Sequence, residues 1–325
     1  MEVFSINVPH LAENLIAAVK RLSFIILSFV LMFWNVENFF DPFDNPDKDD
    51  DAFTPAGEKH WTWNRFTRKK NAVAKTMVSV ADRYGGLPAI AGLCEVENKM
   101  VLRALVTDSP LAEAADYGFI HRESPDRRGI DVALVYRKDT FVPIKIDSLR
   151  VEEFPTRDIL YVKGLVRGVE ELDTLHIFVN HWPSKLGGAK RTSDRRQEAA
   201  SLLKNCLDSL MASPGRKDIV IMGDFNDTAP ETGVPQIMRL KPEVRGRDSP
   251  AGTLRFKGKW EQIDHFFISE PLLRNQVTET IYPMPFLLEE DKTFLGVKPR
   301  RTYIGPRYNG GVSDHLPIIL SIGKK

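Results

Sequence analysis

The stretch Asp218-Ile219-Val220-Ile221-Met222-Gly223-Asp224-Phe225-Asn226-Asp227 decides how this chain reads. Its four consecutive apolar residues suit a strand buried on both faces. Gly223 lets the chain turn sharply where the run ends. Asp224 and Asn226 are two positions apart, so in extended backbone they point the same way. A carboxylate and an amide then stand together at the mouth of a sheet, where open α/β folds place their sites. The plainer reading is a strand followed by an Asx-rich turn.

The pattern recurs on both sides of this stretch. Upstream, Phe29 to Trp34 is a continuous apolar run that delivers Asn35, Glu37 and Asn38. Ala89 to Cys94 delivers Glu95 and Glu97, and Leu175 to Val179 delivers Asn180 and His181. Asp131 to Tyr136 is a further strand, entered through Arg127-Arg128-Gly129. Downstream, Asp264 opens a strand to Ile268, and Asp314-His315 precede a last strand from Ile318 to Ile322. Phe141 to Leu165 alternates weakly and predicts two more strands.

Helices fall between these runs. Phe66, Val73, Met77 and Val80 predict an amphipathic helix over Arg65 to Arg83, with Arg68, Lys69, Lys70 and Lys75 mostly on its wet side. Met100 to Thr107 begins a second helix. Ser193 to Leu210 turns Ala199, Leu202, Leu203, Cys206 and Leu210 inward. The aspartate-rich stretch Asp41 to Asp51 reads as a solvated loop, without the glycine and glutamate spacing of an EF-hand. Pro230 to Gly252 is irregular, and Met284 to Tyr303 reads as an excursion over the site. Trp61, Trp63 and Phe66 suit core packing better than stacking on a base or a lipid. No internal repeat or interdomain linker interrupts the chain, so 29–325 reads as one domain behind an extension, 1–28.

The chain has 325 residues and is 42% hydrophobic, enough for a sizeable core. Lys+Arg 45 against Asp+Glu 44 gives a net charge of +1, so no global field draws it to nucleic acid. Cys94 and Cys206 are too few for a disulfide framework or a cysteine zinc site. The apolar run Leu22 to Met32 after Lys20-Arg21 resembles a signal-peptide core but is short for a membrane span. No small-residue cleavage site follows it before Asn35, and its second half makes a buried strand. The reading therefore favours a cytoplasmic protein over an exported or membrane-tethered one.

Singly, each strand-end residue is an ordinary turn former or a structural histidine. Jointly, Asn35, Glu95, Asn180-His181, Asp224 with Asn226, Asp264 and Asp314-His315 offer hard oxygen ligands and imidazoles from six strand ends. Such donors suit Mg²⁺, or Mn²⁺ in its place, rather than zinc. The chemistry that fits is metal-assisted attack of water on a phosphate. It needs a carboxylate to take up or orient the water proton and a donor for the phosphoryl oxygens.

The segments Trp34-Asn35-Val36-Glu37-Asn38, Leu93-Cys94-Glu95-Val96, Asn180-His181-Trp182-Pro183-Ser184, Gly223-Asp224-Phe225-Asn226, Ile263-Asp264 and Ser313-Asp314-His315-Leu316-Pro317 resemble the endonuclease/exonuclease/phosphatase, or DNase I-like, superfamily. They occur in its order and run from near residue 29 to 322. The resemblance implies a four-layered α/β sandwich, two mixed β-sheets packed face to face and flanked by helices. It implies Glu95 as principal metal ligand, with Asn35 and Asp314 near the same ion. Asp224 would orient or activate the water, and Asn226 would hold the phosphate or that water. His315 would bind the phosphate as a charged donor steadied by Asp264, and His181 would contact the phosphate and assist the leaving group. Asp131 is a weaker match, as a residue orienting His181. Asn180, Lys185, Arg191 and Arg195 complete the set as candidates for substrate binding.

The resulting expectation is a Mg²⁺-dependent phosphodiesterase, nuclease-like or otherwise, acting as a monomer on a phosphate ester, nucleic acid included. No protein partner is inferable. An inositol-phosphatase-like monoesterase and a sphingomyelinase-like lipid phosphodiesterase are the alternatives. The lipid enzyme would need Leu22 to Met32 exposed. A non-catalytic phosphate-binding module would have lost Glu95, Asp224 or His315, and all three are present.

Overall fold

The first six residues of Phe29–Phe39 (β1) are all apolar and all buried, as a strand at the centre of a sheet requires. The computed structural model describes residues 29–169, 172–185, 188–230, 232–241 and 250–323. The extension 1–28 expected from the sequence, with Leu22 to Ser28 of its apolar run, lies outside the described residues. The other part of that run, Phe29 to Met32, is in the core rather than exposed. Among the described residues no helix is long and apolar enough to cross a membrane.

After β1 come α1 (Trp63–Tyr84), β2 (Ile90–Val96), α2 (Lys99–Thr107), α3 (Pro110–Ala114), β3 (Tyr117–His121) and β4 (Asp131–Arg137). A second series follows as β5 (Phe141–Leu149), β6 (Ile159–Val166), β7 (Thr174–His181), α4 (Ala189–Ala212), β8 (Ile219–Asp224) and β9 (Ile237–Arg239). The hairpin β10 (Leu254–Phe256) and β11 (Lys259–Glu261) leads into β12 (Asp264–Ser269) and β13 (Gln276–Ile281). Two more small hairpins, β14 (Leu288–Glu290) with β15 (Val297–Pro299) and β16 (Tyr303–Ile304) with β17 (Arg307–Tyr308), precede β18 (Ile318–Gly323).

One six-stranded sheet has the order β13-β18-β1-β2-β4-β3, the other β5-β6-β7-β8-β12-β9. Each is mixed: β1 runs parallel to β2 and β7 parallel to β8, while the other pairs are antiparallel. The sheets pack face to face. At Gly92 of β2 an added Cβ would lie 2.5 Å from the Met222 sulfur of β8, so the missing side chain sets how closely they approach. Outside the first sheet, α1 buries Phe66, Val73, Met77 and Val80 and ends at Gly85 in a left-handed turn. Outside the second, Leu203 and Leu207 of α4 pack with Phe178, Ile219 and Ile221. The fold is the four-layered α/β sandwich expected from the sequence.

Two charge assignments differ from expectation. Lys69 and Lys70 are buried rather than on the wet face of α1. Lys70 Nζ reaches Asp108 at 2.5 Å, and Lys69 donates to the Glu37 carbonyl and the Thr302 hydroxyl. The Asp41 to Asp51 loop also turns two carboxylates inward: Asp41 accepts from the Phe43 amide and Asp50 from the Asn45 amide.

Glu279 in β13 is 2% exposed, and neither of its oxygens has a hydrogen-bond partner among the described residues. Burial pushes its carboxyl well above the usual carboxylate range, against the pull of Arg239. A carboxyl raised in the fold binds a proton more tightly there than in the unfolded chain. Its stabilising contribution is therefore complete below the ordinary carboxylate pKa and declines as pH rises through the raised value. Wild-type protein is expected to lose stability through this group as pH rises above the ordinary carboxylate range, by at most about 1.4 kcal/mol per pH unit while the native carboxyl stays protonated. Glu279→Gln should flatten that slope in denaturant melts between pH 5 and pH 8, and parallel slopes would show that the native carboxyl is already ionised at pH 5 and is not raised by its burial.

Candidate active site

Strand register assembles the site. Across β7, β8 and β12, His181 is paired with Asp224 and Asp224 with Asp264, so three functional side chains form one row. Facing them, Asn35 of β1 is paired with Cys94 of β2, and Glu95 follows at a register shift. The segment before β18 closes the site. Ser313 Oγ donates to the Asn35 carbonyl, the His315 amide donates to Ser313 Oγ, and Trp34 Nε1 donates to the His315 carbonyl. The backbone is strained here: Glu37, Asn38, Glu95 and Asn226 have φ of 48°, 50°, 60° and 50°, the left-handed region non-glycine residues rarely adopt.

Asp224 is the hub. Its Oδ2 accepts from Asn35 Nδ2 at 3.0 Å and its Oδ1 from the Asn226 amide at 2.9 Å. His181 Nε2 lies 3.7 Å and His315 Nε2 3.8 Å from its Oδ2. Burial pushes its carboxyl up to about 7, against the opposing pull of His315. His315 Nδ1 donates to Asp264 Oδ2 at 2.8 Å, and the Thr253 hydroxyl also donates to that oxygen. Burial alone would lower the His315 pKa, but the Asp264 and Asp224 carboxylates outweigh it and hold the ring protonated. His181 goes the other way. Burial, with Arg157 nearby, pushes it well below the ordinary imidazole range. One histidine is thus a cation and the other neutral.

Asn35, Glu95 and Asp314 open into the same cavity, of about 760 Å³, together with Glu37, Asp224 and His315. Asn35 Nδ2 is 3.3 Å from Glu95 Oε1, and the Asn38 amide holds Glu95 Oε2 at 2.8 Å. Amide and carboxylate oxygens fixed in this way fit a hard divalent cation.

The family model described as Endonuclease/Exonuclease/phosphatase family matches residues 30–324. The chain belongs to that family. Its members are phosphoric ester hydrolases that depend on a divalent metal, and this chain carries acidic and histidine groups that could bind one. No curated protein matches it in sequence. Among solved structures, truncated Caenorhabditis elegans TDP2 is 17% identical, with 91% of this chain and 98% of that one covered at a TM-score of 0.54. The mannosyl-6-phosphatase of Bacteroides thetaiotaomicron is also 17% identical, with 91% and 99% covered at 0.58. D. rerio TDP2 in complex with a single-strand DNA product is 15% identical, with 91% and 99% covered at 0.53. At these identities the likeness is one of fold.

Not every candidate residue lines the cavity. Asn180 is fully buried, and its amide serves the sheet: Nδ2 donates to the Met222 carbonyl at 3.3 Å and Oδ1 accepts from Trp182 Nε1 at 3.1 Å. Asp131 faces His121, 3.2 Å from its Nε2, and accepts from the Ser124 amide. The Arg-Gly-Ile-Asp segment therefore serves the β3–β4 pair rather than orienting His181. Arg195 is exposed and its guanidinium lies over the Phe154 ring, away from the cavity. Lys185 lines the cavity, and the side chain of Arg191 lies outside the described residues. Asn226 Nδ2 donates to the Trp182 carbonyl, which fixes the loop after β8.

Three further groups belong to the site. Glu37 carried a sequence signal as a second acid beyond β1. Thr253 and Arg301 carried none, since each sits in poorly patterned chain and meets the site only through tertiary packing.

Proposed function

We propose that this chain is a Mg²⁺-dependent phosphodiesterase in which Asp224 takes the proton of an attacking water. The observation that carries the reading is the row His181, Asp224 and Asp264 with His315 beside it. A base, a neutral imidazole and an imidazolium all line one cavity. Water oxygen attacks phosphorus as its proton passes to Asp224. The Nε2–H of His315 donates to a phosphoryl oxygen, and Asp264 keeps that ring charged and aimed. In this reading His181 donates a hydrogen bond to the departing ester oxygen as its bond to phosphorus breaks. A divalent cation held by Glu95, Asn35 and Asp314 would polarise the phosphoryl group and stabilise the leaving oxygen.

The cavity extends well beyond these groups, which supports a phosphate carrying two substituents. Phe256 and Phe294, both exposed, stand at its rim beside Lys257, whose Nζ lies 5.3 Å from the Phe256 ring. Aromatic faces interleaved with lysine suit an unpaired nucleic-acid base and its phosphate. The TDP2 complex with single-strand DNA product is consistent with such a substrate. A monoester is the second reading, supported by the phosphatase among the neighbours and by Arg128, Lys185 and Arg301 around the cavity.

Hydrolysis of bis-(p-nitrophenyl) phosphate and p-nitrophenyl phosphate with Mg²⁺, Mn²⁺ or EDTA tests both readings. The expected result is turnover of the diester that EDTA abolishes and either cation restores. Turnover of the monoester alone would replace the diesterase reading with a phosphatase. Equal turnover in EDTA would overturn the metal requirement.

A further inference from the structure

Arg301 joins two carboxylates that strand order brings to the cavity from opposite ends of the chain. Its Nε donates to Glu37 Oε1 at 3.0 Å and its Nη2 to Asp314 Oδ2 at 2.9 Å. The other Glu37 oxygen accepts from the Thr302 amide at 2.6 Å. Lys69 donates to both the Glu37 carbonyl and the Thr302 hydroxyl, so arginine and acceptor are fixed by one buried network. The Arg301 side chain is nevertheless 46% exposed, and it lines the same cavity as Glu95 and Asp224. This is not an ordinary surface pair, because the Glu37 carboxylate is buried and, without the arginine, would have only the Lys69 ammonium as a counter-charge.

We propose that Arg301 takes the place of a second divalent cation between Glu37 and Asp314, so that the site holds a single metal ion. The proposal rests on the metal-dependent reading above. Charge supports it. Arg301 offsets one of the formal negative charges that Glu37, Glu95, Asp314 and Asp224 bring to the cavity, so less positive charge is required of metal ions there. Geometry supports it too, because a guanidinium bridges two carboxylates as a metal would and its remaining N–H groups can still donate to phosphoryl oxygens. Unlike a metal, it cannot dissociate and it gives no coordination site to water. Arg301 is thus a fixed positive charge that positions Asp314 and the substrate phosphate.

The test is Mn²⁺ titration of the full chain followed by electron paramagnetic resonance, which separates a lone ion from a spin-coupled pair. Wild type is expected to show one uncoupled ion at the site, as is Arg301→Lys, which keeps the charge. Arg301→Met should bind two and give the signature of a coupled pair. The combination Glu37→Gln with Arg301→Met removes one carboxylate and should return to a lone ion. A coupled pair in wild type overturns the proposal and leaves metal-dependent hydrolysis standing. So does a lone ion in folded Arg301→Met. Absence of Mn²⁺ at the site in every variant overturns both readings. Should Arg301→Met fail to fold, wild type and Arg301→Lys still decide, since a coupled pair in either is fatal.

Discussion

Asp224→Asn is expected to lower kcat on a phosphodiester by about 10³-fold or more, because general-base help is worth about 10²–10⁴-fold and the carboxylate also anchors the site. The substitution keeps the size of the side chain and removes a buried carboxyl whose pKa stands near 7. The melting temperature should therefore hold at pH 8, where the wild-type group carries a charge that its burial disfavours. In wild type, kcat/KM should fall as the solution is made more acidic than about pH 7, since protonated Asp224 cannot accept the water proton. A bound divalent cation favours the anion and moves that midpoint lower, never higher. A variant retaining a tenth of wild-type kcat would remove Asp224 from the role of base.

His315→Ala is expected to cost about 10²–10³-fold in kcat, the usual loss when one charged donor to a developing anion is removed. The more discriminating variant is Asp264→Asn. Asp264 is the largest influence raising the His315 pKa, so its neutralisation lowers that pKa. The imidazolium is then lost at a lower pH, and the alkaline limb of the pH–rate profile should move toward neutrality. Loss of rate with an unmoved alkaline limb would mean that Asp264 serves packing rather than the charge of His315.

Much of this was legible because the site is built at the ends of strands buried on both faces. Such strands must be continuous apolar runs, so β1, β2, β7, β8, β12 and β18 announce themselves, and their terminal residues are visible against them. The small elements do not. β9, β14 and β15 are three residues each, too short for an alternating pattern to stand out, and β13 carries Glu279 inward where alternation predicts an apolar residue. Helical periodicity assigned Lys69 to water correctly on average and wrongly in fact, because its partners Glu37 and Thr302 arrive from elsewhere in the sequence. Asp131 fits a motif, but its neighbour across the β3–β4 pair is His121. Spacing along the chain locates residues at a strand end. Only packing says which of them share a cavity.

The site draws Asn35 and Glu95 from one sheet and His181, Asp224 and Asp264 from the other, and the two sheets also meet where Gly92 faces Met222. Anything gripping both sides must be released before the halves can part. Binding free energy at the cavity is therefore also cohesion between the halves, by ordinary mass-action coupling. The protein should be hardest to prise open while it is occupied, and amide protons all along β1 and β8, including those several residues from Asn35 and Asp224, should then exchange more slowly in concert.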